Sequence, residues 1–240
     1  MEDALIIAID GPAAGGKGTI ALELAERLGY LYVDTGAMYR AVAWEAIRRG
    51  LSLDDEKAIG RLAQTLEIRF ERHVVDDKVS YKIFADNKDV TSDIRRPEVD
   101  QAASIVAQYP EVRQALLEKQ RLLARPGGVV MEGRDITTVV LPHAHVKLFV
   151  TASLEERARR RYEQRLQAGQ SADLVQIEAE LAERDRRDSE REIAPMRIPE
   201  DATVIDTTGL DIETSVNVIL RLISNRYTGS NAEKIADKQA

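Results

Sequence analysis

The chain has 240 residues, 44% of them hydrophobic and 31% charged, with a formal net charge of -7. That is enough for one large α/β domain with insertions, or for a core with small accessory lobes. The acidic balance argues against a general nucleic-acid or anionic-membrane binder, and the absence of cysteine excludes disulfides, thiolate nucleophiles and cysteine zinc sites.

The first apolar run, Leu5-Ile6-Ile7-Ala8-Ile9, stops at Asp10, too short for a signal peptide or a membrane span. A soluble intracellular protein is the expectation. The run reads as a buried strand and leads into Gly11-Pro12-Ala13-Ala14-Gly15-Gly16-Lys17-Gly18-Thr19, after which Ile20 to Leu28 is patterned as a helix. Strand, Gly-rich loop and helix together are the context of a phosphate-binding loop, whose backbone N–H groups cradle an anion at a helix N-terminus. Against G-x-x-x-x-G-K-[ST], Gly11, Gly16 and Lys17 fit. Gly18, however, stands where a magnesium-binding hydroxyl is expected, and Thr19 comes one place late. The loop predicts a bound nucleoside triphosphate and leaves the reaction open.

Gly29 closes the helix, and Tyr30-Leu31-Tyr32-Val33 reads as a second strand delivering Asp34-Thr35-Gly36-Ala37-Met38-Tyr39-Arg40 to the carboxyl edge of a sheet, where ligands bind in open α/β folds. Thr35 is a candidate ligand there, or a simple helix cap, and Arg40 a candidate anion site, or a solvated charge. Helices are expected from Ala37 to Arg49, with Trp44 in the core, and from Asp54 to Thr65. Between Leu66 and Val90 a partly alternating pattern, broken at Asp76-Asp77 and Asp86-Asn87, predicts a small antiparallel β insert as a surface lobe. Helical patterning resumes from Pro97 to Val106 and from Glu111 to Ala124. Core strands follow at Val129-Val130-Met131, His145 to Val150 and Thr203-Val204-Ile205, with a closing helix from Asp211 to Ile223 and a frayed tail over 225–240. Strands alternating with helices predict a five-stranded parallel sheet flanked by helices.

Leu154 to Arg191 carries nine arginines, no lysine and ten acidic residues, in two helices meeting near Ala168-Gly169-Gln170-Ser171. Mixed charge of this kind is ordinarily a solvated face, but exclusive arginine favours planar, forked recognition of phosphate. Arg184, Asp188 and Arg191 recur at i, i+4 and i+7 and share a helical face, with Asp185, Arg186 and Arg187 directed elsewhere. An arginine hairpin after a phosphate-binding core suits a lid that closes over phosphoryl transfer.

The Gly11 to Thr19 loop, Asp34 to Arg40, the β insert, Val99-Asp100-Gln101-Ala102-Ala103-Ser104, Gly133-Arg134-Asp135 and the Glu183 to Arg191 run, in this order, resemble bacterial cytidylate kinases over Ala4 to Ser224. The resemblance implies a P-loop NTPase-type fold with a discontinuous core (1–65, 126–153 and 192–224), a nucleoside-monophosphate-binding region at 66–125 with the insert at about 66–90, and a lid at 154–191. It implies phosphoryl transfer from ATP to CMP, with dCMP a second acceptor, using Mg2+ and no covalent intermediate. Gly11, Pro12, Ala13, Ala14, Gly15, Gly16, Lys17, Gly18 and Thr19 would bind ATP, with Thr19 a magnesium ligand, directly or through water. Thr35, Arg40, Ser104, Arg113, Arg134, Asp135, Arg184, Asp188 and Arg191 would bind CMP: Ser104, Arg113 and Asp135 on the cytosine edge, Arg40, Arg134 and Arg191 on the phosphate, Arg184 and Asp188 on the ribose. Lys17, Arg134, Arg157 and Arg191 are the candidate catalytic cations. Which of Arg157, Arg160 and Arg161 reaches the donor phosphates stays open. A cytoplasmic monomer without nucleic-acid or membrane partners is implied.

Two departures from the family pattern stand out, Ala14 and Gly15 in swapped order and Thr137 where glycine is usual. A GTPase switch is disfavoured, since Asp206-Thr207-Thr208-Gly209 falls after the last strand and Asn87-Lys88-Asp89-Val90 lacks the aspartate of N-K-x-D. A kinase for another acceptor, UMP or AMP, is the nearer alternative. A non-catalytic nucleotide sensor would be expected to lose Lys17 or the acceptor arginines. His73, His143 and His145 are too scattered for a metal site.

Overall fold

The structure, a computed structural model, describes residues 4–75 and 78–226. In chain order the elements are β1 (Ile6–Asp10), α1 (Lys17–Leu28), β2 (Leu31–Asp34), α2 (Thr35–Arg48), α3 (Glu56–Thr65), β3 (Ile68–Val75), β4 (Lys78–Ala85) and β5 (Lys88–Asp89). After a 3-10 turn at Asp93–Arg95 come α4 (Pro97–Val106), α5 (Pro110–Ala124), β6 (Val129–Gly133) and a π-helical turn at Ile136–Val140. The chain then forms β7 (Val146–Thr151), α6 (Leu154–Gln167), α7 (Leu174–Glu190), β8 (Thr203–Asp206) and α8 (Ile212–Arg226).

The fold is α/β, a five-stranded parallel sheet in the order β2-β6-β1-β7-β8 flanked by helices, with a separate three-stranded antiparallel sheet, β3-β4-β5. β1, β6 and β7 are near-continuous runs of Ile, Val, Leu and Met with almost every residue buried, as strands covered on both faces require. Asp10 is in register with Gly133 of β6 and Phe149 of β7, so β1 and β6 end together, β7 runs on to Thr151, and their following loops share one edge.

By contact the described residues form two compact units, 4–30 with 127–226, and Leu31–Pro126. The second thus takes in the helices before residue 66 as well as the expected 66–125. Its core joins Met38, Val42 and Trp44 of α2, Ile59 and Leu62 of α3, Val99 and Val106 of α4 and Val112 and Leu116 of α5. The β insert belongs to this same core through Ile68, Ile83 and Ala85. It is therefore anchored more deeply than a surface lobe. Asp86 and Asn87 both have positive φ, 48° and 69°, the conformation of a two-residue hairpin turn, which links β4 to β5. Trp44 is a core residue, and Lys88 Nζ lies 4.6 Å and Arg48 Cζ 5.7 Å from its ring centroid.

Tail residues Asn225 and Arg226 form the end of α8, whereas 227–240, like the expected break at Asp76-Asp77, lie outside the described residues.

Candidate active site

The first unit holds the phosphate-binding loop. Gly11 has φ 151°, and a Cβ there would fall inside the van der Waals envelope of the Val150 carbonyl oxygen and 3.0 Å from its carbon. Only glycine lets the loop turn this close over β7. Gly16 ends the loop at φ 87°, and α1 begins with no side-chain cap and no acidic residue in its first turn. Its leading N–H groups therefore suit an anion. The swapped pair has a structural outcome: Ala14, not Gly15, has a left-handed φ of 59°.

Lys17 is 8% exposed, and its Nζ lies 3.4 Å from both the Pro12 carbonyl oxygen and Glu132 Oε2. Both distances are long for charge-assisted contacts. The ammonium is thus held at the loop beside a β6 carboxylate, which sequence reasoning did not include. Thr19 is exposed on the first turn of α1.

Gly133-Arg134-Asp135 follows β6, and each charged side chain finds a partner from the arginine hairpin. Arg134 Nε donates to Asp188 Oδ2 at 2.7 Å, and Arg191 Nη2 donates to Asp135 Oδ1 at 3.1 Å. Burial works to raise the Asp188 pKa, but the guanidiniums of Arg134, Arg184 and Arg191 outweigh it and hold the carboxyl below its ordinary value. Burial likewise works against the charge of Arg134, and Asp188 with Glu132 and Asp185 leaves its pKa raised. Arg191 lies just past α7, and its Nε donates to Ala194 O at 2.6 Å.

Arg157 is 6% exposed on α6. Its Nε donates to Ala152 O at 3.0 Å, Nη1 to Ala13 O at 3.3 Å, and Nη2 lies 2.7 Å from Asp185 Oδ2. Asp185 therefore faces this buried arginine, where the sequence reading directed it elsewhere; its Oδ1 is buried without a hydrogen-bond partner. Arg160 donates from Nη1 to Thr207 Oγ1 at 3.0 Å and from Nη2 to Thr207 O at 2.7 Å, and Thr207 Oγ1 lies 3.2 Å from Gly15 O. The Asp206 to Gly209 stretch thus braces the phosphate loop. Arg186 is exposed and pairs with Glu183 and Glu190.

In the second unit, Asp34 is the N-cap of α2, accepting from Ala37 N–H at 3.0 Å, and its other oxygen takes Arg40 Nη2 at 2.6 Å. Arg40 is thus a fixed, mostly buried charge, 3.9 Å from Asp100 of α4. Thr35 is the first helical residue, not the cap, and is 4% exposed. Ser104 is half-buried on α4. Arg113 is buried, donates to Ala107 O at 3.2 Å and lies 5.7 Å over the Tyr39 ring.

Among the described residues no cluster of three or more His, Cys, Asp or Glu is placed to hold a metal ion, and no helix is long and apolar enough to cross a membrane.

A parallel sheet, a glycine-turned loop with its lysine and several arginines each held by a carboxylate define a P-loop phosphotransferase. The cytidylate kinase family profile matches residues 7–225. A cytidylate kinase from an Exiguobacterium species is 50% identical over 223 residues, 93% of this chain and 98% of its own. Cytidylate kinases from a Geobacillus species and from Desulfitobacterium hafniense are each 47% identical over 226 residues, 94% of this chain and 99% and 95% of their own. The chain belongs to the cytidylate kinase family, ATP-dependent phosphotransferases acting on CMP and dCMP.

Proposed function

We propose that the residues of both units divide the reaction by substrate. Gly11 to Thr19 takes the ATP phosphates on backbone N–H groups, with Lys17 on the outer phosphates. Arg40, Arg134 and Arg191 take the CMP phosphate, Ser104, Arg113 and Asp135 the cytosine edge, and Arg184 and Asp188 the ribose hydroxyls, with Thr35 beside the acceptor. Cytosine offers a donor amino group next to acceptor atoms, which a carboxylate, a hydroxyl and a guanidinium complement. Catalysis is positioning and neutralisation of the transferring charge by Lys17, Arg134 and Arg191, with no covalent intermediate. Arg157, with its donors on Ala13, Ala152 and Asp185, serves by fixing the loop to the hairpin.

The observation that carries this reading is the pairing of Arg134 with Asp188 and of Arg191 with Asp135. Two guanidiniums are held in place by carboxylates just beyond a sheet edge, so they meet a phosphate already oriented. Magnesium enters with ATP. Without a carboxylate cluster among the described residues, the site fits an ion carried mainly by phosphates and water, and Thr19 is the residue to supply one oxygen, directly or through water. Bound there, the ion would neutralise phosphate charge. A cytoplasmic monomer completes the proposal.

The test is ADP release from ATP and magnesium with CMP, dCMP, UMP, AMP, GMP or no acceptor. Turnover confined to cytidine nucleotides, and lost in Asp188→Ala and Arg40→Ala, supports the assignment. Unchanged kinetics in both variants would overturn the acceptor site.

A further inference from the structure

Asp10 is a charged residue at the end of an otherwise apolar strand, and it is fully buried. Its Oδ1 accepts from Ile136 N–H at 2.8 Å, and its Oδ2 from Thr137 N–H at 2.7 Å and from the Thr137 hydroxyl at 2.5 Å. These three donors open the π-helical turn that directly follows Arg134 and Asp135. The turn's other end is tied to the same place, because Val139 N–H and Val140 N–H both donate to the Asp135 carbonyl, at 2.9 and 3.1 Å. The backbone on the carboxyl side of Asp135 is therefore pinned through a carboxylate that sits one residue before Gly11. A single side chain joins the start of the phosphate loop to the turn presenting Arg134 and Asp135.

Burying a carboxylate is expensive, and a neutral residue of similar volume would fill the end of β1 at lower cost. Three donors on two oxygens recover part of that cost, and burial still pushes the Asp10 pKa up to about 6. The Thr137 hydroxyl is the one donor of the three that a side-chain substitution can remove without disturbing the backbone.

We propose that Asp10 is a positioning residue for the acceptor half of the reaction, and that the Thr137 hydroxyl is its partner, together setting where Arg134 and Asp135 stand relative to the Lys17 loop. This rests on the reading that Arg134 and Asp135 contact CMP. A hydrogen bond to a charged group that holds a contact in place is worth about tenfold in affinity when lost.

The experiment measures KM for CMP and for ATP, together with Tm, in Thr137→Val, Thr137→Ser, Asp10→Asn, the Asp10→Asn/Thr137→Val double variant and, as a control, Arg134→Ala. Thr137→Val should raise the CMP KM about tenfold and leave the ATP KM within about twofold, while Thr137→Ser, which keeps the hydroxyl, should restore the CMP KM. In the Asp10→Asn background, where the Thr137 hydroxyl meets a neutral amide in place of a carboxylate, Thr137→Val should raise the CMP KM less than it does in the parent. A Thr137→Val that lowers only Tm, or moves both KM values equally, while Arg134→Ala raises the CMP KM, would overturn the proposal alone. An Arg134→Ala that leaves the CMP KM untouched would overturn the acceptor-site reading, and the proposal with it. Should Asp10→Asn fail to fold, the Val and Ser comparison decides.

Discussion

Gly11→Ala should be among the most damaging single-methyl additions in the molecule. The added Cβ would overlap the Val150 carbonyl oxygen and stand 3.0 Å from its carbon and 3.4 Å from its nitrogen. Val150 cannot retreat: it is fully buried and paired in register with Ile205 of β8, and its neighbour Phe149 is paired with Asp10. A methyl forced into a packed site costs about 1–3 kcal/mol, and an alanine held at a φ of this kind about 1–3 more. Taking about 3–5 kcal/mol, at 2–4 °C per kcal/mol for a chain of this size, Tm should fall by about 6–20 °C. If the loop swings away instead of straining, the cost appears as a raised ATP KM. Thermal unfolding and initial rates against ATP concentration read both, with Gly29→Ala as control: φ there is 71° but nothing lies within 4 Å, so about 1–2 kcal/mol is expected. A Gly11→Ala variant within about 2 °C of the parent Tm and about twofold of its ATP KM would refute the steric argument.

Lys17→Met should lower kcat by about 10²–10³-fold, as loss of a charge-stabilising donor does; an unchanged kcat would remove Lys17 from the transferring phosphoryl group. Arg157→Met strips the half-buried Asp185 of its cation and leaves the Ala13 and Ala152 carbonyls without their donor, and should cost about 1–3 kcal/mol in urea unfolding; a loss of turnover at unchanged stability would instead make Arg157 a catalytic group. Ala14→Gly removes a left-handed alanine worth about 1–2 kcal/mol against an unfolded-chain penalty of about 0.4–1, so its melting point should equal or exceed the parent's. For pH, the native Asp10 carboxyl titrates near 6 against 3.8 for an unperturbed group. The native state binds the proton more tightly between those values, so this residue's contribution to stability is fully present below about 4 and declines as pH rises through 6. Relative to Asp10→Asn the parent should therefore lose about 3 kcal/mol across that window, and parallel stability curves would contradict it.

The sheet and the phosphate loop were legible because their signals are contiguous: an apolar run, glycines and a lysine within a few residues report strand, turn and anion site. The arginine hairpin was legible in part. Asp188 does meet Arg134, but Arg191, expected on the same helical face, follows α7 with an extended backbone and reaches Asp135 from beyond the helix. Asp185 was directed away, although residues three apart on a helix are about 60° apart around its axis. Asp185 and Asp188 therefore border the same face and serve two different arginines. The π-helical turn had no local signal, since Ile136-Thr137-Thr138-Val139-Val140 is rich in β-branched residues. It forms where Asp10, more than a hundred residues earlier, takes its first N–H groups. Glu132 was passed over because a carboxylate inside a strand has no motif of its own. Asp10 left one readable trace, a charge closing an apolar strand.

The arginine hairpin has few apolar side chains of its own: Ala158, Ile177 and Leu181 are buried where α6 meets α7, and Ala13 of the phosphate loop completes the cluster. Arg157 adds a hydrogen bond to the Ala13 carbonyl. Hairpin and loop should therefore open together, their amides exchanging with solvent at a common free energy. A nucleotide that quiets the loop should therefore quiet the hairpin too, through Ala13 and Arg157.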